Sequence, residues 1–286
     1  MVVPKTLIEV TVVGNDRKGV VADVTNFIFT IGGNIEKVNQ NVVRGLFGMQ
    51  LEASFQTIDK KKIDLGMRSL AKKLGMEIRV HYEEPNRLRN IAIFVSKEPN
   101  CLLRILKAKE KGSINANIPV IIGSEGTMGP IADGNRIPFH IIDEKQDPIL
   151  AENKILKLTE QYNVDLIILA RYMRILSPNF VWRYPNRIIN IHPSLLPAFP
   201  GAYAYVQAYE RGAKIVGCTA HFVTEDLDQG PIIYQESFRV KEMDTLDTIR
   251  QKGQSLEAET LLKATKLYLE GRLEIYWGRV HIMGNF

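Results

Sequence analysis

The 286-residue chain is longer than one domain commonly is, so two domains and a sizeable core are expected. Hydrophobic and charged fractions of 45% and 24% are those of an ordinary folded protein and exclude a largely disordered or fibrous chain. The formal net charge of +5 suits an anionic small molecule. No nucleic-acid partner is expected, because the Lys and Arg residues are scattered and form no stripe interleaved with aromatics.

Cys101 and Cys218 are far apart and lack metal-ligand spacing, so neither a disulfide framework nor a metal site is expected. Both read as small core side chains in a reducing, cytoplasmic compartment. Met1 to Lys5 lacks the basic start and apolar core of a signal peptide. No run reaches the length of a membrane span, so no membrane partner is expected.

Leu7 to Val13 is a β-branched run that reads as a strand, turned at Gly14-Asn15-Asp16. Val20, Val21, Val24, Phe27, Ile28 and Ile31 recur at helical spacing, and Gly32-Gly33 ends that helix. Asn34 to Val43 and Leu46 to Ile58 read as two strands joined at Arg44-Gly45. A second helix carries Leu65, Leu70 and Leu74 on its apolar face and closes at Gly75, and Met76 to Tyr82 supplies a last strand. This βαββαβ order predicts a ferredoxin-like domain over residues 1–84. With Asp16-Arg17-Lys18-Gly19-Val20 after the first strand and Gly33-Asn34-Ile35 after the first helix, the region resembles an ACT domain. The resemblance implies a homo-oligomerisation platform and a small amino-acid effector near Asn15, Gly19, Val20, Asn34 and Ile35. The other reading is a scaffold that pairs edge to edge without a ligand.

Glu83-Glu84-Pro85-Asn86 is a short polar break and the expected linker to a second domain, residues 85–286. There Asn90 to Val95, Ile118 to Ile122, Phe139 to Ile142, Val164 to Leu169 and Arg187 to Ile191 read as strands. Leu102 to Lys111 reads as a helix, and a further helix opens at Asp147-Pro148, its proline in the first turn. Such alternation predicts a mostly parallel, Rossmann-like α/β sheet covered on both faces. The turn Ser96-Lys97-Glu98-Pro99-Asn100-Cys101 contains no glycine, so it offers neither a dinucleotide fingerprint nor a phosphate loop. Gly123 to Gly129 reads as a glycine-rich loop, and Gly201 to Gly212 as a helix whose Tyr203, Tyr205 and Tyr209 serve packing. Lys214 to His221 is strand-like, Asp244 to Glu270 is helical, and Ile275 to Met283 offers one terminal strand.

Two prolines stop the strand that ends at Asn190, and Asn190 and His192 leave an extended backbone on the same side. In a parallel sheet ligands sit beyond the strands' carboxyl ends. An amide and an imidazole aimed into that crevice suit polarising a carbonyl and moving protons, and Asp228 could orient and charge the imidazole.

The stretch Asn190-x-His192-Pro193-Ser194-Leu195-Leu196-Pro197, followed by His221-Phe222-Val223 and Asp228-x-Gly230, resembles the signature of formyltransferases that use 10-formyltetrahydrofolate. The resemblance implies catalytic roles for Asn190, His192 and Asp228, and a supporting role for His221 behind them. It also implies a pterin slot lined by Met173, Arg174 and Leu176 on one wall and by Val223, Thr224 and Glu225 on the other. No metal, no covalent enzyme intermediate and no permanently bound cofactor is required, and Ser194 reads as a turn residue.

An ACT-like region followed by a formyltransferase-like region covers nearly the whole chain and resembles the formyltetrahydrofolate deformylase family. Its chemistry implies hydrolysis of a folate substrate in one-carbon metabolism and purine biosynthesis. Ser96-Lys97, Cys101-Leu102-Leu103 and Lys252-Gly253 fit that family as well. Pro193 and Leu195 depart from the His and Phe common there, and Gly123-Ser124 departs from Asn-His; the Pro and Leu forms are those of formyl-transferring relatives. Transfer of the formyl group to an amine therefore stays open beside hydrolysis. Outside both stands an amino-acid-sensing module on a catalytically silent scaffold, against which the intact Asn190, His192 and Asp228 argue.

Overall fold

A computed structural model describes residues 6–82, 84, 87–143, 147–201 and 203–284. Of the expected linker, Glu83, Pro85 and Asn86 lie outside these residues, as do Met1 to Lys5. The chain divides into two compact units, Met1–Arg87 with Ser177–Pro185, and Leu88–Leu176 with Asn186–Phe286. The first unit therefore takes in a segment that a contiguous division after residue 84 leaves in the second.

The first unit runs β1 (Thr6–Asn15), α1 (Val20–Thr30), β2 (Asn34–Val43), β3 (Leu46–Phe55), α2 (Lys60–Leu74) and β4 (Glu77–Tyr82). Its antiparallel sheet has the order β2-β3-β1-β4. Alternation along β1 and β3 turns Val10, Val12, Leu51 and Ala53 inward, against Val24 and Ile28 of α1 and Ile63 and Met67 of α2. The Asp59 side chain accepts from the Lys62 amide to start α2, and Gly75, in the left-handed region at φ 64, stops it. Leu65 is exposed: the buried face of α2 is Ile63, Met67, Leu70 and Leu74, at helical spacing from which residue 65 points away. The strand expected to reach Ile58 ends at Phe55.

The second unit contributes β5 (Arg89–Val95), α3 (Asn100–Glu110), β6 (Ala116–Gly123), α4 (Gly129–Gly134), β7 (Phe139–Ile141), α5 (Pro148–Gln161) and β8 (Leu166–Ala170). A short α6 (Pro178–Val181) lies in the segment belonging to the first unit. There follow β9 (Ile188–His192), α7 (Ala204–Glu210), β10 (Ile215–Phe222), β11 (Ile232–Arg239), α8 (Leu246–Leu269), β12 (Leu273–Tyr276) and β13 (Arg279–Ile282). Seven strands form one sheet in the order β11-β10-β9-β8-β5-β6-β7. Those from β9 to β7 are mutually parallel, and β10 and β11 run antiparallel at one side. Strands β5 and β8 are almost wholly apolar and buried, as a sheet covered on both faces demands.

Four features depart from expectation. Strand β11 escapes a hydrophobic-run reading because it is an edge strand, and its sequence alternates half-buried with exposed residues. Gly123 to Gly129 is not all loop: a single 3-10 turn at Gly126–Met128 leads into α4. The brief α6 starts where Ser177 caps the Phe180 amide. The single terminal strand is a hairpin, reversed at Trp277 and Gly278, which both take positive φ as a two-residue turn requires. Among the described residues, no helix is long and apolar enough to cross a membrane.

Candidate active site

The chain folds β5, β6 and β7 in one direction from the sheet's middle and β8 and β9 in the other. The order reverses between β5 and β8, and the carboxyl ends of β8 and β9 open beside that reversal, where a crevice forms for topological reasons. A cavity of about 540 Å³ lies there, lined by residues 171–176, 190–193, 203–206 and 223–228, together with Leu169, Gly201, His221 and Arg250. Every residue expected to be catalytic or substrate-binding in the folate site borders it: Asn190, His192 and Asp228, then Met173, Arg174, Leu176, Val223, Thr224 and Glu225. Leu176 is buried, whereas Met173 is exposed, so the first wall presents one fixed and one free apolar side chain.

Antiparallel pairing of β9 with β10 sets Asn190 opposite His221 and His192 opposite Thr219. This register decides the chemistry of the floor. The His221 Nδ1–H donates to the Phe222 carbonyl at 2.8 Å, which leaves Nε2 with a lone pair 3.3 Å from Asn190 Nδ2. Burial holds the His221 imidazole below its ordinary proton affinity, outweighing the Phe222 carbonyl and Asp228, which act the other way. A neutral His221 accepts one Asn190 amide hydrogen, so the second remains for the cavity.

His192 is buried, and its Nε2–H donates to the Phe199 carbonyl at 3.0 Å. Its Nδ1 stands 3.3 Å from Asp228 Oδ2, while Asp228 Oδ1 lies 3.8 Å from His221 Nε2. Asp228 also accepts from the Gly201 amide at 2.8 Å. Burial alone would raise the Asp228 pKa, but the bonds from His192 and Gly201 hold it below the usual carboxylate range. The aspartate is thus an anion aimed at an imidazole ring.

Asp228 reaches this position through a tight return of the chain from β10 to β11. Its own φ is 57, a left-handed conformation that Asp tolerates better than most residues. Two residues on, Gly230 passes so close to the preceding strand that an added Cβ would stand 1.7 Å from the Phe222 carbonyl oxygen. The spacing Asp228-x-Gly230 is therefore a steric requirement of the turn.

Several contributors were not anticipated. Thr219 donates to the Ser194 carbonyl and accepts from the Leu196 amide, and Gln235 donates to the Leu196 carbonyl, so β10 and β11 hold the loop that follows His192. Ser194 itself is a turn residue, its hydroxyl bonded to the Ala198 carbonyl at 2.5 Å. Ser96 and Ser124, at the ends of β5 and β6, share a 2.7 Å hydrogen bond, and Ser96 accepts from the Met173 amide. Tyr205 is buried and donates to Glu257 at 2.5 Å, and Arg171 stands 3.3 Å from the same carboxylate. Thr219, Gln235 and Glu257 lie far in sequence from the residues they hold and carry no motif, so no local signal could have found them. Burial raises both cysteine thiols, which argues against a nucleophilic role for either.

The effector positions do not converge within one chain. Asn15 pairs with Leu46 at one end of the first unit's sheet, whereas Asn34 pairs with Ser54 at the other, level with Leu7. At about 3.3 Å per residue, the eight steps from Leu7 to Asn15 span roughly 26 Å. Val20 is in the core, Ile35 is half-buried, and Asn15, Gly19 and Asn34 are exposed.

Comparison with known proteins bears on both units. The formyl transferase family model matches residues 89–265 and the ACT domain model residues 6–81. The formyltetrahydrofolate deformylase of Bacillus subtilis is 40% identical over 267 residues, covering 91% of this chain and 88% of that protein. The Synechocystis deformylase is 39% identical over 274 residues, covering 92% and 94%. Among solved structures, a formyltetrahydrofolate deformylase from Pseudomonas syringae superposes with a TM-score of 0.67 at 27% identity over 98% of this chain and 95% of its own. A glycinamide ribonucleotide transformylase from Symbiobacterium toebii gives the same TM-score at 34% identity, covering 97% of its own length but 71% of this chain.

Proposed function

The chain belongs to the formyltetrahydrofolate deformylase family, and from that premise we propose that residues 85–286 hydrolyse 10-formyltetrahydrofolate to formate and tetrahydrofolate under the influence of residues 1–84. The folate is a substrate and not a resident cofactor. Water adds to the formyl carbon, the carbonyl oxygen becomes an oxyanion, and the bond from carbon to N10 then breaks as N10 takes a proton.

The Asn190 amide hydrogen left over by His221 serves the oxyanion; one such donor is worth about a hundredfold or more in rate. The His192 ring, held between the Phe199 carbonyl and the Asp228 carboxylate, lies next to the reacting group. Asp228, ionised and hydrogen-bonded, orients that ring and moves the proton between water, imidazole and N10. The pterin occupies the slot between Met173, Arg174 and Leu176 and Val223, Thr224 and Glu225, an apolar pocket with a few polar edges of the kind that suits a flat heterocycle.

The observation that carries this reading is the convergence of Asn190, His192 and Asp228 on one cavity at the strands' carboxyl ends. The acceptor is read as water because the deformylase relatives match both units, whereas the transformylase spans only part of this chain. Transfer to an amine is the second reading, favoured by Pro193, Leu195 and Gly123-Ser124, which depart from the forms that the resemblance to deformylases implies. Incubating the pure protein with 10-formyltetrahydrofolate alone and following formate decides between them. Formate is expected without an amine; no formate, with tetrahydrofolate and a formylated amine appearing only once an amine is added, would reverse the assignment.

The first unit is read as a homo-oligomerising, amino-acid-responsive domain in a cytoplasmic enzyme. Because Asn15, Gly19 and Val20 lie at one end of its sheet and Asn34 and Ile35 at the other, an effector site built from both sets needs a second copy. Sedimentation should therefore give an oligomer, and calorimetric titration with glycine, serine and methionine should give heat with at least one. A monomer that takes up none of them would remove the regulatory role.

A further inference from the structure

We propose that Glu257 is a positioning residue for folate binding, a buried carboxylate that ties the two sides of the cavity together through Arg171 and Tyr205. The inference rests on reading the cavity as the folate site. Glu257 projects from α8 with its side chain 1% exposed and does not itself border the cavity. Its Oε1 accepts from the Tyr205 hydroxyl at 2.5 Å, and its Oε2 stands 3.3 Å from Arg171 Nη1. Both partners do border the cavity.

They sit at the roots of different walls. Arg171 opens the 171–176 wall in a left-handed conformation, φ 61, a backbone state that a non-glycine residue holds only when its surroundings fix it. Tyr205 lies in α7, in the separate 203–206 stretch of the lining, four residues beyond Gly201, whose amide holds Asp228. One carboxylate thus constrains both.

Helix α8 is shaped to permit this. Gly253 is one turn before Glu257 on the same face, and a Cβ there would stand 2.2 Å from the Tyr205 hydroxyl. Without that gap Tyr205 could not lie across α8 to reach the carboxylate.

A structural role alone accounts poorly for the cluster. Burying an ion pair gains little stability over a well-packed apolar pair. Here, moreover, Arg171 Nε and Glu257 Oε2 are buried without a hydrogen-bond partner among the described residues. Burial pushes the Glu257 carboxyl up, and Arg171 and Tyr205 only partly offset this. What the arrangement does secure is the separation and orientation of two wall-lining side chains.

The test compares the wild type with E257Q and Y205F in steady-state deformylation, in tetrahydrofolate binding by calorimetry and in thermal unfolding. For each variant that folds, KM should rise and tetrahydrofolate binding weaken about tenfold, with kcat within threefold of wild type. Unchanged binding, or a fall confined to kcat, would overturn the proposal. Y205F removes a single hydroxyl, so it decides the matter if E257Q fails to fold. A wild type that releases no formate and binds no tetrahydrofolate would instead sink the folate-site reading. Full wild-type activity beside unaffected variants would sink this inference alone.

Discussion

Asp228 and His221 do opposite electrostatic work on the same few ångströms of space. Asp228 is kept ionised by the bonds it accepts, so its replacement by Asn keeps the shape and removes the charge that orients His192. D228N is expected to lose about 10²–10⁴-fold in kcat, with circular dichroism and Tm close to wild type; activity within a few-fold would take Asp228 out of the mechanism. His221 is kept neutral by burial, so its folded pKa lies below the unfolded value near 6.5. Below that unfolded value the unfolded chain binds the proton more readily than the folded one, and stability falls with pH. A protonated His221 would also cease to accept from Asn190. Stability is thus expected to decline as pH drops from about 6.5, and kcat/KM only at the lower pH where the folded His221 takes up its proton; in H221Q, whose amide accepts without titrating, the part of each decline due to this group should vanish. A decline unchanged in H221Q would assign it elsewhere.

At the scale of elements, two glycines hold strands and helices close enough for the site to form. G230A would drive a Cβ into the Phe222 carbonyl, so the β10–β11 turn must shift and carry Asp228 with it. Destabilisation and a large fall in kcat should appear together in denaturant unfolding and rate measurements. G253A tests competing magnitudes. Alanine in a helix interior gains about 1 kcal/mol over glycine, but crowding Tyr205 costs about 1–3 kcal/mol, so urea unfolding should give a net loss; a net gain would mean Tyr205 moves freely. The helix opening at Asp147-Pro148 was legible because its start signal is short and local, and Asp147 there accepts from the Leu150 amide. Strand β11 and the terminal hairpin were not, since an edge strand with one wet face and a turn at Trp277 carry little hydrophobic pattern.

At the scale of the whole molecule, the first unit is assembled from two stretches of chain. Ser177–Pro185 is held there by Trp182 against Gly48 and by Arg183, which donates to Glu77 through Nε at 3.0 Å and Nη2 at 2.6 Å. Deleting residues 1–87 would strip both partners away, so the shortened protein should show a lower Tm and a tendency to aggregate. An equally stable, monodisperse product would show that the segment needs no partner. By itself the sequence determined the βαββαβ order, the run of parallel strands, and the candidate trio Asn190, His192 and Asp228, because periodicity, turn residues and a long ordered motif are written locally along the chain. Only the tertiary structure decided that His221 faces Asn190, that Glu257 lies behind Arg171 and Tyr205, that residues 177–185 join the first unit, and that the effector positions lie at opposite ends of one sheet. Those facts depend on strand register and on contacts between residues remote in sequence, for which the one-dimensional pattern carries no signal.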